Sequence, residues 1–225
     1  MPTHLKEYLD FLVEEALDEK LRGGFDLNYF KKLPTASDQK TYADKTLTLL
    51  NCGSARCSYI LSSGKVLKLL VRPEYPDTEQ NEGEISAFKK FGPEYVPRIF
   101  DFDENNTWLI VEPARTFSSG WEFKEKTGLS YHLARYFETY LGQRGRLSAS
   151  DTAEQWQNFK SEKDKFMWSG EEVPDWESLT PLGQQYIEKH HHLNANGLID
   201  ITRADHWGWA SDGRLVCVDP GISTE

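Results

Sequence analysis

Leu5, Leu9, Leu12, Val13, Ala16, Leu17 and Leu21 recur at helical spacing, and Gly23-Gly24 closes the pattern, which predicts an amphipathic helix at the start of the chain. A polar stretch over 34–45 follows and reads as a connection. Three short apolar runs come next, at 47–50, 58–61 and 66–71, with Ser62-Ser63-Gly64 as the turn between the last two. Ile85, Phe88 and Phe91 lie on one side of a helix expected over 79–91, which Gly92-Pro93 stops. Two further strands, 96–102 and 108–111, flank a turn at Glu104-Asn105-Asn106. The order is three strands, one helix, two strands.

Beyond Pro113 the pattern turns helical. Leu129, Leu133, Tyr136, Phe137, Tyr140 and Leu141 form one stripe, and Trp156, Phe159, Phe166 and Met167 mark a less regular third helix. An acidic stretch at 169–178 reads as a loop, and a helix over 181–191 carries Pro181 in its first turn, where a missing N–H is harmless. The tail reads as a hairpin. Asp212-Gly213 is a tight-turn signal of type I′, followed by the apolar strand 215–218. The expected fold class is therefore α+β: a small antiparallel sheet with one helix, then a mainly helical part carrying a ribbon.

Composition narrows the function classes. Among 225 residues, 26 Lys and Arg stand against 36 Asp and Glu, a formal charge of −10, which argues against binding nucleic acid or an anionic membrane through the overall field. No apolar run approaches the ~18 residues of a membrane span, and no charged-then-apolar leader pattern opens the chain, so a cytoplasmic location is expected. Cys52, Cys57 and Cys217 have no metal-ligand spacing, and their odd number favours reduced thiols.

Candidate chemistry starts at Lys68. Period two places it on the same face of its strand as Val66 and Leu70, and a buried ammonium needs a carboxylate or an anionic ligand. Of the acids on the next helix, Glu84 adjoins the apolar stripe and is the nearest partner; the competing reading is an edge-strand lysine snorkelling to water. The terminal hairpin should bring Asp205 and Asp219 to one mouth of its ribbon, as two hard oxygen donors suited to magnesium. The run His190-His191-His192 cannot converge on one ion, because consecutive helical residues point about 100° apart. It reads instead as a helix end with cations near its carbonyls.

Asn51-Cys52-Gly53-Ser54-Ala55-Arg56-Cys57-Ser58-Tyr59, Lys68 in a third strand, Glu84 in a helix, a strand ending Val111-Glu112, and Asp219-Pro220-Gly221 after a hairpin together resemble the protein-kinase-like superfamily. That superfamily includes protein kinases and aminoglycoside-type phosphotransferases, and the abbreviated style is similar to the short kinase-like proteins of bacteria and tailed phages. The resemblance implies a two-lobed fold: an N-terminal helix and linker over 1–45, a five-stranded lobe over 46–113, and a reduced helical lobe over 114–225. It implies that Gly53, Ser54 and Ala55 cover the phosphates of ATP, that Lys68 holds the α- and β-phosphates, and that Glu84 holds Lys68. Glu112 to Arg115 would offer backbone groups to adenine, and Asp219 would bind magnesium. Asp200 would be the catalytic base, with Asp205 five residues later as the second metal ligand or, in another register, His206 there. Arg203 would neutralise phosphoryl charge or be a surface arginine.

Two departures qualify that expectation. Leu198-Ile199 stands where the family has His-Arg or His-Gly, and only Ile222 to Glu225 follow Gly221, so no activation segment or peptide-docking helices are expected. The first functional expectation is an ATP- and magnesium-dependent phosphotransferase acting on a hydroxyl of a small-molecule or protein acceptor. A second is an inactive pseudokinase that binds or inhibits a host protein, and a third is a nucleotidyl transferase.

Overall fold

The computed structural model describes residues 24–53, 55–71, 78–143, 152–163, 171–198, 201 and 204–220. The helix expected around Leu5 to Leu21 lies outside these residues. The described chain is α+β and clusters into two compact units. The first takes the residues up to Pro93 together with 97–115 and 210–212, and the second takes 94–96, 116–209 and the chain from 213 onward.

The first unit is built on an antiparallel sheet of β1 (Thr48–Cys52), β2 (Arg56–Ile60), β3 (Val66–Leu70), β4 (Ile99–Phe102) and β5 (Trp108–Val111), in the order β1-β2-β3-β5-β4. Alternation gives each strand two different faces. Cys57, Tyr59, Leu67, Leu69, Trp108 and Ile110 pack with Phe30, Ala43 and Leu47 into one core. On the opposite side of β3 and β5, Val66, Leu109 and Val111 gather with the partly buried Leu50 and Ile99. Strand β4 begins three residues later than the apolar pattern suggests, since Pro97 has no N–H to give a ladder. The helix after β3, α3 (Thr78–Phe91), buries Asn81, Glu84, Ile85 and Ala87.

The stretch 34–45 is not a connection. A short helix α1 (Leu27–Phe30) precedes it, and residues within it form most of α2 (Ala36–Thr46), started by Thr35, whose Oγ1 accepts the Asp38 N–H at 3.1 Å. The helix is nearly all polar because it buries little beyond Gln39 and Ala43, so no apolar stripe announces it. Tyr59 reaches Asp44 from the sheet at 2.7 Å, and burial with that bond raises the phenol well above its ordinary range.

The second unit holds α4 (Gly120–Thr127), α5 (Tyr131–Gln143), α6 (Thr152–Glu162) and α7 (Pro181–Ala195), together with a ribbon of β7 (Trp207–Ala210) and β8 (Leu215–Cys217). The short strand β6 is Ala114–Thr116. Aromatic side chains fill the interior: Phe137 with Trp156 and Phe159, and Phe123 with Tyr186, which in turn meets Trp207 edge-on. Lys189 is 5% exposed and donates to the carbonyls of Glu94 and Leu215, fixing the start of β8 to α7.

The terminal ribbon turns differently from the type I′ expectation. Its strands are joined through Ser211 to Arg214, and only Gly213 in that connection takes a positive φ, 87°. A longer loop needs one left-handed residue where the two-residue turn needs two, so Asp212 is spared that conformation. Among the described residues no helix is long and apolar enough to cross a membrane.

Candidate functional site

Strand β3 is hydrogen-bonded on both sides, so Lys68 is held in mid-sheet, opposite Ser58 of β2 and Leu109 of β5. Edge-strand snorkelling is thereby excluded. The side chain is only 12% exposed, and its Nζ lies 2.7 and 2.8 Å from the two carboxylate oxygens of Glu84, itself 5% exposed. A carboxylate gripped on both oxygens by one ammonium is well compensated for its burial.

A second cation shares that carboxylate. Arg56 Nη1 sits 2.6 Å from Glu84 Oε1, the same oxygen that meets Lys68, and 3.1 Å from Asn81 Oδ1. Asn81, fully buried one turn earlier on α3, donates its side-chain Nδ2–H to the Asn106 carbonyl at 2.8 Å. The arrangement follows from register: Arg56 and Ser58 share a face of β2, and Ser58 opposes Lys68, so Arg56 is diagonal to Lys68 across the ladder. Neither Arg56 nor Asn81 was among the residues singled out from sequence, although strand parity alone would have placed Arg56 on the Lys68 face.

The turn ahead of this cluster is tied down by backbone bonds. Gly53 donates its N–H to the Arg56 carbonyl at 2.8 Å, and Ala55, buried, accepts from the Val71 N–H at 2.8 Å. A Cβ on Gly53 would meet nothing nearer than 3.7 Å, so glycine is not sterically required in this conformation. Ser54 lies outside the described residues. Cys52 and Cys57, at the two ends of the turn, face each other across β1 and β2 and are joined as a disulfide, which corrects the expectation of reduced thiols. Cys217 is buried in the other unit.

Glu112 directly follows β5 and is 3% exposed, which its partners explain: Oε1 meets Arg98 Nη1 and Oε2 accepts the Arg98 N–H, both at 3.2 Å. Its own N–H is given to the Arg98 carbonyl at 2.8 Å. Arg115 is half-buried in β6. Of the backbone groups expected to meet a ring at 112–115, the Glu112 amide is thus already engaged and Pro113 has none.

In the second unit, Asp205 is exposed in a short helical turn before β7, and Asp219 is half-buried just past β8. The ribbon ladder runs through Trp207 opposite Cys217 and continues with Val218 N–H to the His206 carbonyl at 2.7 Å; Asp205 precedes His206 and Asp219 follows Val218 in the chain. His206 itself is 7% exposed. Asp200 and Arg203 lie outside the described residues. Among the described residues no three His, Cys, Asp or Glu side chains gather as a metal cluster.

The three histidines do not behave as helix-end cations. Helix α7 runs on to Ala195, and burial holds His190 down to about 3, with its neighbour His191 adding to the effect. Burial lowers His191 and His192 as well. His191 Nδ1 pairs with Thr152 Oγ1 at 3.0 Å, and His192 stacks on Tyr95. His190 and His191 are thus buried in the core, and His192 is half-buried beside them.

No family model and no curated protein matches the chain. A solved streptomycin–ATP–APH(2")-IIa ternary complex aligns with it at 13% identity, over 85% of this chain and 73% of that one, with a TM-score of 0.36. A superposition that loose decides neither fold nor chemistry, and the side chains of this chain carry the functional reading.

Proposed function

We propose that this chain is a divergent, two-lobed kinase-like phosphotransferase that uses ATP and magnesium to phosphorylate a hydroxyl acceptor. One observation carries the reading: an ammonium set in mid-sheet and gripped on both oxygens by the buried Glu84. A sheet stabilised for packing alone gains nothing from such a pair, since apolar side chains of the same size would serve at least as well. A fixed cation does serve a polyphosphate, whose charge it meets without having to be reoriented.

Each residue then has a role. Lys68 binds phosphate oxygens, Glu84 and Arg56 orient Lys68, and the Gly53–Ala55 backbone approaches the phosphates. Glu112 contributes its carbonyl rather than its amide, and Arg115 lies at the same connection. Asp205 and Asp219 suit magnesium, which takes few carboxylates and keeps room for water and phosphate oxygens. When bound, the metal would draw charge off the transferred phosphoryl group. The acceptor oxygen forms its bond to the γ-phosphorus as the bond to the β–γ bridging oxygen breaks; Asp200 takes the acceptor proton, and ADP leaves.

The commitment of the Glu112 amide to Arg98 favours a second reading, a pseudokinase that holds a protein partner without transferring phosphate. Incubation with ATP labelled on the γ- or the α-phosphate separates the options. Label from the γ position on an acceptor or on the chain itself supports phosphotransfer. Label only from the α position makes it a nucleotidyl transferase, and none from either supports the pseudokinase.

A further inference from the structure

We propose that the Cys52–Cys57 disulfide is a reducible latch on the turn that precedes the Lys68–Glu84 pair. Its position argues for local control. The bond spans only five positions of sequence, so it constrains the unfolded chain less than a bond closing a long loop would, and in the folded chain it acts on the turn itself. The ladder beside it is irregular: the β1–β2 register shifts between Leu49 and Asn51, and β1 is an edge strand with no neighbour on its other side among the described residues. The turn therefore leans on the disulfide and on the Gly53 N–H to Arg56 carbonyl bond inside the same loop.

Access is one-sided. Cys52 is exposed whereas Cys57 is fully buried, so a reductant meets the Cys52 sulfur. A dithiol reductant attacks Cys52 Sγ, Cys57 leaves as a thiolate and takes a proton, and the second thiol of the reductant then displaces Cys52, ending as a disulfide. Two electrons pass to the protein.

The consequence travels one residue. Arg56 adjoins Cys57 and places its guanidinium on the Glu84 oxygen that also meets Lys68, so loosening the turn loosens the carboxylate that orients Lys68. This link to ligand affinity rests on the phosphotransferase reading; the latch itself does not.

The test uses the intact protein with and without millimolar dithiothreitol, at neutral pH and without denaturant. Mass spectrometry after maleimide labelling should show two new labelled cysteines on reduction, with buried Cys217 protected. Hydrogen exchange at the Gly53 and Val71 amides should accelerate roughly tenfold, while amides of the β3–β5 ladder stay unchanged. The dissociation constant for magnesium-ATP should weaken about threefold or more on reduction, because fewer molecules hold the competent turn. The Cys52→Ser variant should match the reduced form and ignore the reductant. Reduction only in denaturant, or equal exchange in both forms, overturns the latch. Exchange that differs while affinity does not overturns the link to Lys68. Exchange that differs while neither form binds nucleotide sustains the latch and overturns the phosphotransferase reading.

Discussion

Glu84 is a buried carboxylate with two cations bonded to it, and the three side chains are unequal in what their loss should do. Glu84→Ala strips both cations of this carboxylate at once and should destabilise the protein by about 3 kcal/mol. Lys68→Met leaves Arg56 on the carboxylate and should lose less, and urea unfolding of the two variants checks the order. A different kind of constraint operates at Gly183, where α7 crosses α4 so closely that an added Cβ would run into the Thr127 carbonyl. Gly183→Ala should therefore lower stability by about 2 kcal/mol or more through forced separation of the helices, although it raises helix propensity. A melting temperature at or above that of the wild type would contradict the close packing. At this scale the Lys68 and Glu84 pairing could be read from strand period and helix stripe. Strand parity also puts Arg56 on the Lys68 face, but its bond to Glu84 depends on how the helix packs over the sheet, which no local pattern records.

Elements with an apolar stripe were the legible ones. Strand β5 and helix α3 appear within a residue of their expected bounds, because each must hide one face. Helix α2 was hidden by its polarity. Helix α4 had a readable start in Ser119-Gly120-Trp121-Glu122, where Ser119 Oγ accepts the Glu122 N–H at 3.2 Å and Glu122 Oε2 accepts the Ser118 N–H at 2.7 Å, but its body buries only Phe123 and Thr127. Helix α7 carries the pH dependence of the second unit. An unfolded histidine binds its proton near pH 6.5, whereas folded His190 does so only at about 3, so between those values the unfolded chain holds more protons. Stability should be full above pH 6.5, fall as pH drops below it, and level off under pH 3; the loss at pH 5 is about 2 kcal/mol from this residue alone. Urea unfolding at pH 7.5 and pH 5 tests this, and His190→Gln should flatten the slope. An unchanged slope in that variant would assign the acid sensitivity elsewhere.

For the whole molecule, the division into a sheet-based unit and a helical unit follows from the switch of apolar period near Pro113. What periodicity cannot see is exchange of short segments: 94–96 joins the helical unit, where Cys217 donates its N–H to the Tyr95 carbonyl at 2.8 Å, and 210–212 joins the other, where Asp212 meets Arg98 at 3.2 Å. Such contacts link residues over a hundred positions apart and leave no local signature. The central claim is that the buried Lys68–Glu84 pair receives the phosphates of a bound nucleotide whose magnesium Asp219 would hold. The most direct measurement is the melting temperature with millimolar magnesium-ATP in the wild type, Lys68→Met and Asp219→Ala. The account predicts a rise of roughly 3 °C or more in the wild type, from mass action on the folded state, and little or none in either variant. No rise in the wild type, or an equal rise in all three proteins, would contradict it.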